Sequence, residues 1–218
     1  MSPLERFLDP SAVSLKICGI TREGDARELC ALGVDALGVN FWPGSKRYHA
    51  PEEAGWLAGY AGRIARVGVF VNAAAALPLR LYREGLLDLV QLHGDETPED
   101  AMAFREAGVP FIKAFGVRTS GDLERAGDYG AAAVLLDAHA PGVYGGTGRV
   151  FDWSVAVDFK RRHPDLPVVL AGGIVPENAA DAARAVSPAA LDIASGAEHS
   201  PGLKDMAKVS LLIKALNP

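Results

Sequence analysis

Eight short runs of apolar residues, each followed by a stretch of helical pattern, set the tightest limit on what this chain can fold into. Leu15–Cys18, Ala36–Phe41, Arg66–Val71 and Asp88–His93 read as the first four strands. Pro110–Phe115, Ala132–Asp137, Pro167–Ala171 and Ala190–Ala194 read as the other four. Several are apolar almost without interruption, the pattern of strands covered on both faces in a parallel sheet. Helices are expected between them, near Glu23–Leu32, Pro51–Tyr60, Leu79–Gly85 and Pro98–Ala107, then Gly121–Gly127, Ser154–Arg162, Pro176–Ala185 and Lys204–Leu216. Pro51, Pro98 and Pro176 suit a first helical turn, where a missing N–H costs little, and Gly33 and Gly108 suit helix ends. Eight such units in 218 residues point to an α/β fold, a single-domain (β/α)8 TIM barrel with little decoration. An open doubly wound sheet is the structural runner-up, because strand order is not written in one sequence.

Composition narrows the function classes. With 49% hydrophobic and 22% charged residues, a packed core is expected rather than disorder. The net charge of -5 argues against a general nucleic-acid binder. No apolar run approaches the roughly 20 residues of a membrane span, and Met1–Val13 has no signal-peptide apolar region. Two cysteines, Cys18 and Cys30, cannot build a disulfide framework or a four-cysteine zinc site. A reducing cytoplasm is therefore the expected setting.

The chemistry-bearing residues share an address. Cys18, His93, Asp137, Gly172-Gly173 and Asp192 each lie at the C-terminal end of a run or just past it, where parallel α/β folds gather their sites. Strand alternation puts Lys16 with Cys18, Gln91 with His93, Leu135 with Asp137 and Ala190 with Asp192 on common faces. If those faces point inward, the second member of each pair reaches the catalytic rim. Taken singly, Cys18 also reads as a small buried residue and Asp137 as a cap or loop acceptor, while Cys30 reads as core. Ala171-Gly172-Gly173 and Ala194-Ser195-Gly196 follow the seventh and eighth runs, with Ser200-Pro201-Gly202 downstream. Glycines there let backbone N–H groups approach an anion, and barrels often hold phosphate at these two loops. Arg47, beside the second rim loop, can grip a carboxylate with a two-pronged fork, which Lys46 cannot. Ala138–Trp153, rich in glycine, reads as a mobile lid or an irregular loop.

Lys16-Ile17-Cys18-Gly19-Ile20-Thr21 resembles the opening motif of the phosphoribosylanthranilate isomerase family of tryptophan biosynthesis. The resemblance continues through Pro43-Gly44-Ser45-Lys46-Arg47-Tyr48, Val67-Gly68-Val69-Phe70-Val71-Asn72 and Val90-Gln91-Leu92-His93-Gly94-Asp95-Glu96. Leu135-Leu136-Asp137, Gly145-Gly146-Thr147-Gly148 and Phe151-Asp152-Trp153 complete an ordered set running from about Leu15 to Lys214. The family resemblance implies an Amadori rearrangement of N-(5-phosphoribosyl)anthranilate to 1-(2-carboxyphenylamino)-1-deoxyribulose 5-phosphate, with no cofactor and no metal. On its motifs, Asp137 is the expected general acid and Cys18 the general base. The two roles place opposite demands on the pair: Asp137 has to arrive protonated, and Cys18 has to reach its thiolate, helped by positive charge for which Lys16 is a candidate. Arg47 is expected to hold the anthranilate carboxylate, and Gly172, Gly173, Ser195 and Gly196 to surround the phosphate. His93 and Asp192 are given supporting roles in binding. Ala171 stands where the family commonly has Ser, and Ala194 where Ser often precedes Ser195, so hydroxyl contacts near the phosphate are expected to differ.

On this reading residues 15–218 are the barrel catalytic domain and residues 1–14 a short N-terminal extension without an evident role. The expected partner is a small phosphoribosyl substrate, with no nucleic acid and no membrane, and the barrel is expected as a monomer or homodimer. Three other readings stay open. A dual-substrate aminoaldose isomerase would also serve histidine biosynthesis, but its pattern has an aspartate where this chain has Cys18. A metal-dependent sugar-phosphate epimerase would use His93, Asp137 and Asp192 as ligands, and needs a second well-placed histidine. A catalytically silent phosphosugar-binding barrel would keep the fold and lose the turnover.

Overall fold

The computed structural model describes residues 1–138 and 152–217. Of Ala138–Trp153, the stretch expected as a mobile lid or an irregular loop, residues 139–151, with Gly145–Gly148 and Phe151, lie outside the described residues. Eight parallel strands close into a barrel in sequence order: β1 (Ser14–Cys18), β2 (Ala36–Asn40), β3 (Ala65–Phe70), β4 (Leu89–Leu92), β5 (Phe111–Val117), β6 (Ala133–Ala138), β7 (Val168–Leu170) and β8 (Ala190–Ile193). The open-sheet alternative is thereby excluded, since β1 pairs with both β2 and β8. Closure removes every edge strand, so the near-continuous apolar runs are covered on both faces.

Helices α1 (Pro3–Phe7), α2 (Glu23–Leu32), α3 (Ala76–Arg83), α4 (Met102–Glu106), α5 (Ser154–Arg162), α6 (Ala179–Val186) and α7 (Met206–Leu216) accompany the barrel. Gly33 ends α2 in the left-handed conformation, as its position predicts. Several segments depart from expectation: α3 starts at Ala76 and not Leu79, and α6 starts at Ala179, leaving Pro176 in the turn before it. Pro51–Tyr60 winds as a 3-10 helix. The stretch expected as a helix over Gly121–Gly127 is two 3-10 turns, Ser120–Leu123 and Ala126–Tyr129. There Asp122 Oδ2 accepts from the backbone N–H groups of Arg118 and Thr119, holding a tight turn that two glycines do nothing to extend into a helix. Helix α4 begins four residues after Pro98, because Thr97 and Asp100 bond each other's backbone and hold that segment as a turn.

Two apolar layers result. One lies between strands and helices, with Ile17, Leu37, Phe70, Leu136 and Leu191 facing Leu29, Leu57, Phe159 and Leu212. The other fills the barrel, where Ala36, Ala65, Val67, Leu89, Ile112, Ala133, Leu135, Val169 and Ala190 meet Phe7. Phe7 gives the N-terminal segment a structural task the sequence did not disclose. Ser2 and Glu5 form a reciprocal capping box with Pro3 in the first turn of α1. Ser14 Oγ donates to Arg6 O, tying α1 to the foot of β1. The fully buried Phe7 then plugs the barrel floor, opposite the rim where the strands end. Phe7→Ala is expected to lower stability by roughly 3–5 kcal/mol through the cavity left behind. Urea unfolding checks this, and a loss below about 1 kcal/mol would mean that α1 does not hold the floor.

A short hairpin was not anticipated. After the 3-10 turn Ser195–Ala197, strands β9 (Glu198–Ser200) and β10 (Leu203–Lys204) pair antiparallel around Pro201-Gly202. It sits beside the end of β1, where Thr21 Oγ1 donates to Gly202 O at 2.7 Å.

Candidate active site

Alternation along the strands puts the chemical residues at two depths. In the deeper layer, Lys16 of β1 lies directly opposite Asp192 of β8, and its Nζ reaches Asp192 Oδ1 at 2.8 Å. Both groups are buried, so each needs the other to offset its desolvation. Burial opposes the charge on Lys16, but Asp192 and Cys18 outweigh it and raise its pKa. Asp192 is thus committed to the lysine.

Cys18 stands one step nearer the rim. Its thiol fits there because Gly38 is on the neighbouring strand: a Cβ at that position would fall 2.7 Å from Cys18 Sγ and 3.0 Å from Lys16 Nζ. Lys16, a candidate from strand parity for the cation favouring the thiolate, does pull in that direction, joined by Lys204. Burial is the larger effect, and Asp192 adds to it, so the thiol pKa is raised overall.

The opposite side of the rim carries Asp137, at the end of β6, and His93, just past β4. Gln91 Nε2 meets His93 Nδ1 at 2.7 Å, and His93 Nε2 lies 3.6 Å from Asp137 Oδ2. Gln91 thereby orients the imidazole, turning Nε2 toward the carboxylate. Asp137 Oδ1 accepts from Ala138 N at 2.8 Å, which fixes the carboxylate's plane. The loop bearing His93 is itself anchored. Lys113 Nζ donates to Gly94 O and to Glu96 Oε2, while Glu96 Oε1 accepts from Asn72 N.

The two glycine-bearing loops meet as the sequence order suggests. Gly172 and Gly173 have φ of 85° and 64°, a left-handed path that costs L residues heavily. A Cβ on Gly172 would also press on Ala138 N and Asp137 Oδ1. Asn178 pins the same loop, accepting from Val175 N and donating to Gly173 O. Gly196 packs so closely on Ile174 O that any side chain there would collide with it, which brings the loops after β7 and β8 together. Ser195 opens the 3-10 turn alongside. Ala171 faces the barrel interior and is buried.

Arg47 reaches the site from the loop after β2. Its aliphatic stem lies across Gly19, the residue after Cys18. The guanidinium turns to Glu198: Nε donates to Oε1 at 2.9 Å and to Oε2 at 3.1 Å, and Nη2 to Oε2 at 2.7 Å. Lys204 Nζ donates to Glu198 Oε1 at 2.6 Å and to Cys18 O at 2.5 Å. Burial pushes the Glu198 acid up, but Arg47 and Lys204 outweigh it and hold it below the ordinary range. Burial lowers the pKa of Lys204. Sequence reasoning missed both Glu198 and Lys204. The available signal was Ser200-Pro201-Gly202, a turn between two short segments that each carry a charge.

Cys18, Arg47, His93, Asp137 and the two glycine loops therefore share one end of the barrel, with Asp192 one layer below. A thiol and a carboxylate on separate strands of one rim can exchange protons with different atoms of one ligand, and cations and backbone donors there favour an anionic one. Among the described residues, no group of three or more His, Cys, Asp or Glu is disposed to hold a metal ion. No helix of the described residues is long and apolar enough to cross a membrane.

Comparison with known proteins is consistent along nearly the whole chain. The family model for N-(5'-phosphoribosyl)anthranilate isomerase matches residues 15–215. A Geobacter metallireducens protein of that name is 43% identical over 203 residues, covering 93% of this chain and 98% of its own. The crystal structure of the Thermotoga maritima enzyme is 39% identical, with a TM-score of 0.85 over 94% of this chain and 98% of that one. A further structure of a phosphoribosylanthranilate isomerase, in complex with reduced 1-(o-carboxyphenylamino)-1-deoxyribulose 5-phosphate, has a TM-score of 0.82 at 37% identity, with the same coverage. The chain belongs to the N-(5'-phosphoribosyl)anthranilate isomerase family.

Proposed function

We propose that this protein isomerises N-(5-phosphoribosyl)anthranilate to 1-(2-carboxyphenylamino)-1-deoxyribulose 5-phosphate in the cytoplasm, as a step of tryptophan biosynthesis. The observation carrying this reading is the pairing of Cys18 and Asp137 on one rim, with Arg47 lying over the residue that follows Cys18, in a chain of this family. The catalytic barrel begins at Ser14, the first residue of β1 and one residue earlier than the sequence implies, and the segment before it closes the floor.

The reaction moves hydrogen within one molecule. Asp137 delivers a proton to the ribose ring oxygen as the C1–O bond breaks, which leaves an iminium at C1. The Cys18 thiolate then takes the proton from C2, and those electrons flow to the iminium nitrogen to give an enolamine. Tautomerisation places a carbonyl at C2 and hydrogen at C1. Oxidation at C2 balances reduction at C1, so the overall change needs no external oxidant.

The remaining residues bind and orient. His93, steered by Gln91, sits beside the Asp137 carboxylate and helps set the face from which the acid works. Arg47 takes the anthranilate carboxylate. Gly172, Gly173, Ser195 and Gly196 offer backbone donors to the phosphate, a contact that does not need the hydroxyls absent at Ala171 and Ala194. Asp192 acts from below by fixing Lys16 beside Cys18.

The direct test is turnover of freshly generated phosphoribosylanthranilate, followed by loss of anthranilate-type fluorescence with no metal added. The expected product is an isomer of unchanged mass. Release of free anthranilate at the uncatalysed rate, by folded protein that binds the substrate, would overturn the reading in favour of a silent binding barrel.

A further inference from the structure

We propose that Glu198 is a positioning residue for Arg47, and that through Arg47 it sets the preference of the site for a ligand bearing a carboxylate on its aromatic ring. The inference rests on the reading of Arg47 given above. A guanidinium has five N–H donors arranged along more than one edge. Among the described residues, every hydrogen bond of the Arg47 side chain leaves from Nε and Nη2, and all end on Glu198. Glu198 therefore holds the side edge of the fork. Nη1 and the second hydrogen of Nη2 form the end edge, which remains for a second carboxylate to bind with two parallel bonds.

The holder is rigid on its own account. Glu198 is buried, and its Oε1 also accepts from Lys204 Nζ at 2.6 Å and Gly202 N at 3.1 Å. Lys204 in turn grips the carbonyl of Cys18, so the hairpin ties the arginine and the thiol to one frame. Both oxygens of Glu198 face only donors. A glutamine there would have to turn its NH2 group toward Arg47 or Lys204, donor against donor, and the fork would lose its fixed direction. Charge agrees with an anionic ligand: one carboxylate shared by two cations leaves the cluster with net positive charge.

The test uses two ligands, reduced 1-(2-carboxyphenylamino)-1-deoxyribulose 5-phosphate and its counterpart lacking the ring carboxylate. Dissociation constants are measured calorimetrically on the wild-type chain, Arg47→Ala, Glu198→Gln and the double variant. Wild type should prefer the carboxylated ligand, and Arg47→Ala should erase that preference. Glu198→Gln should cut it about tenfold, the scale of one charge-assisted hydrogen bond, while affinity for the other ligand stays within about twofold. Adding Glu198→Gln to Arg47→Ala should change nothing further. Equal weakening of both ligands, or a further tenfold loss in the double variant, would overturn the proposal and leave Glu198 a purely structural anchor. A wild type that ignores the ring carboxylate would fail the Arg47 reading itself, and the positioning role with it. Should Glu198→Gln not fold, Glu198→Asp, which keeps the charge and withdraws it by one methylene, is read the same way.

Discussion

Cys18→Ala is expected to leave the barrel folded and to lower kcat by about a hundredfold to ten-thousandfold, the usual worth of a positioned base. The substitution removes one sulfur at a partly exposed rim position, and β1 keeps its pairing with β2 and β8. Cys18→Ser sharpens the result. The hydroxyl nearly keeps the shape but ionises far outside the working range, so it should be almost as inactive as alanine. Because burial raises the wild-type thiol pKa against the pull of Lys16 and Lys204, kcat/KM should still climb with pH above neutrality as thiolate accumulates. That climb should vanish in both variants. Turnover within tenfold of wild type, with near-ultraviolet circular dichroism unchanged, would remove Cys18 from the proton-transfer step.

Asp137→Asn is expected to cost a similar factor in kcat while KM stays near its starting value. The amide can still accept from Ala138 N as Asp137 Oδ1 does, so the local fold has no reason to change. It has no acidic proton to give to a departing ring oxygen, and the His93 ring would face an amide in place of a carboxylate. A deuterium label at C2 separates the two variants. With Asp137→Asn, ring opening should limit the residual rate and suppress the isotope effect. With Cys18→Ser, removal of the C2 proton should limit it and express the effect in full. The opposite pattern would exchange the two roles.

Much of this site was legible because its signals are local. Lys16 and Cys18, or Gln91 and His93, share a face by the two-residue period of a strand, and the structure keeps each pair in that order of depth. Hidden parts were those that depend on partners distant in sequence. Strand parity carries Asp192 toward the rim, but its bond to Lys16 spans 176 positions and exists only because β8 closes onto β1 in that register. Phe7 gave no sign of its role, since an apolar residue in a short capped turn reads the same whether it lies on a surface or plugs a barrel. The pairing of Thr119 with Asp122 shows the reverse: a local side-chain bond overrode an expected helix.

The sequence by itself determined the eight strand runs, which residues share a face of each strand and the family to which the chemistry at the strand ends belongs. These follow from the period of the apolar pattern and from motifs a few residues long, and neither requires knowledge of what packs against what. Only the tertiary structure decided that Arg47 is held by Glu198, 151 positions away, that Lys204 grips the carbonyl beneath the thiol, and that Lys16 is neutralised from β8. Buried charges must find partners, because desolvating them alone is too costly. Which partner each one finds is fixed by barrel closure and register, and these are properties of the whole chain.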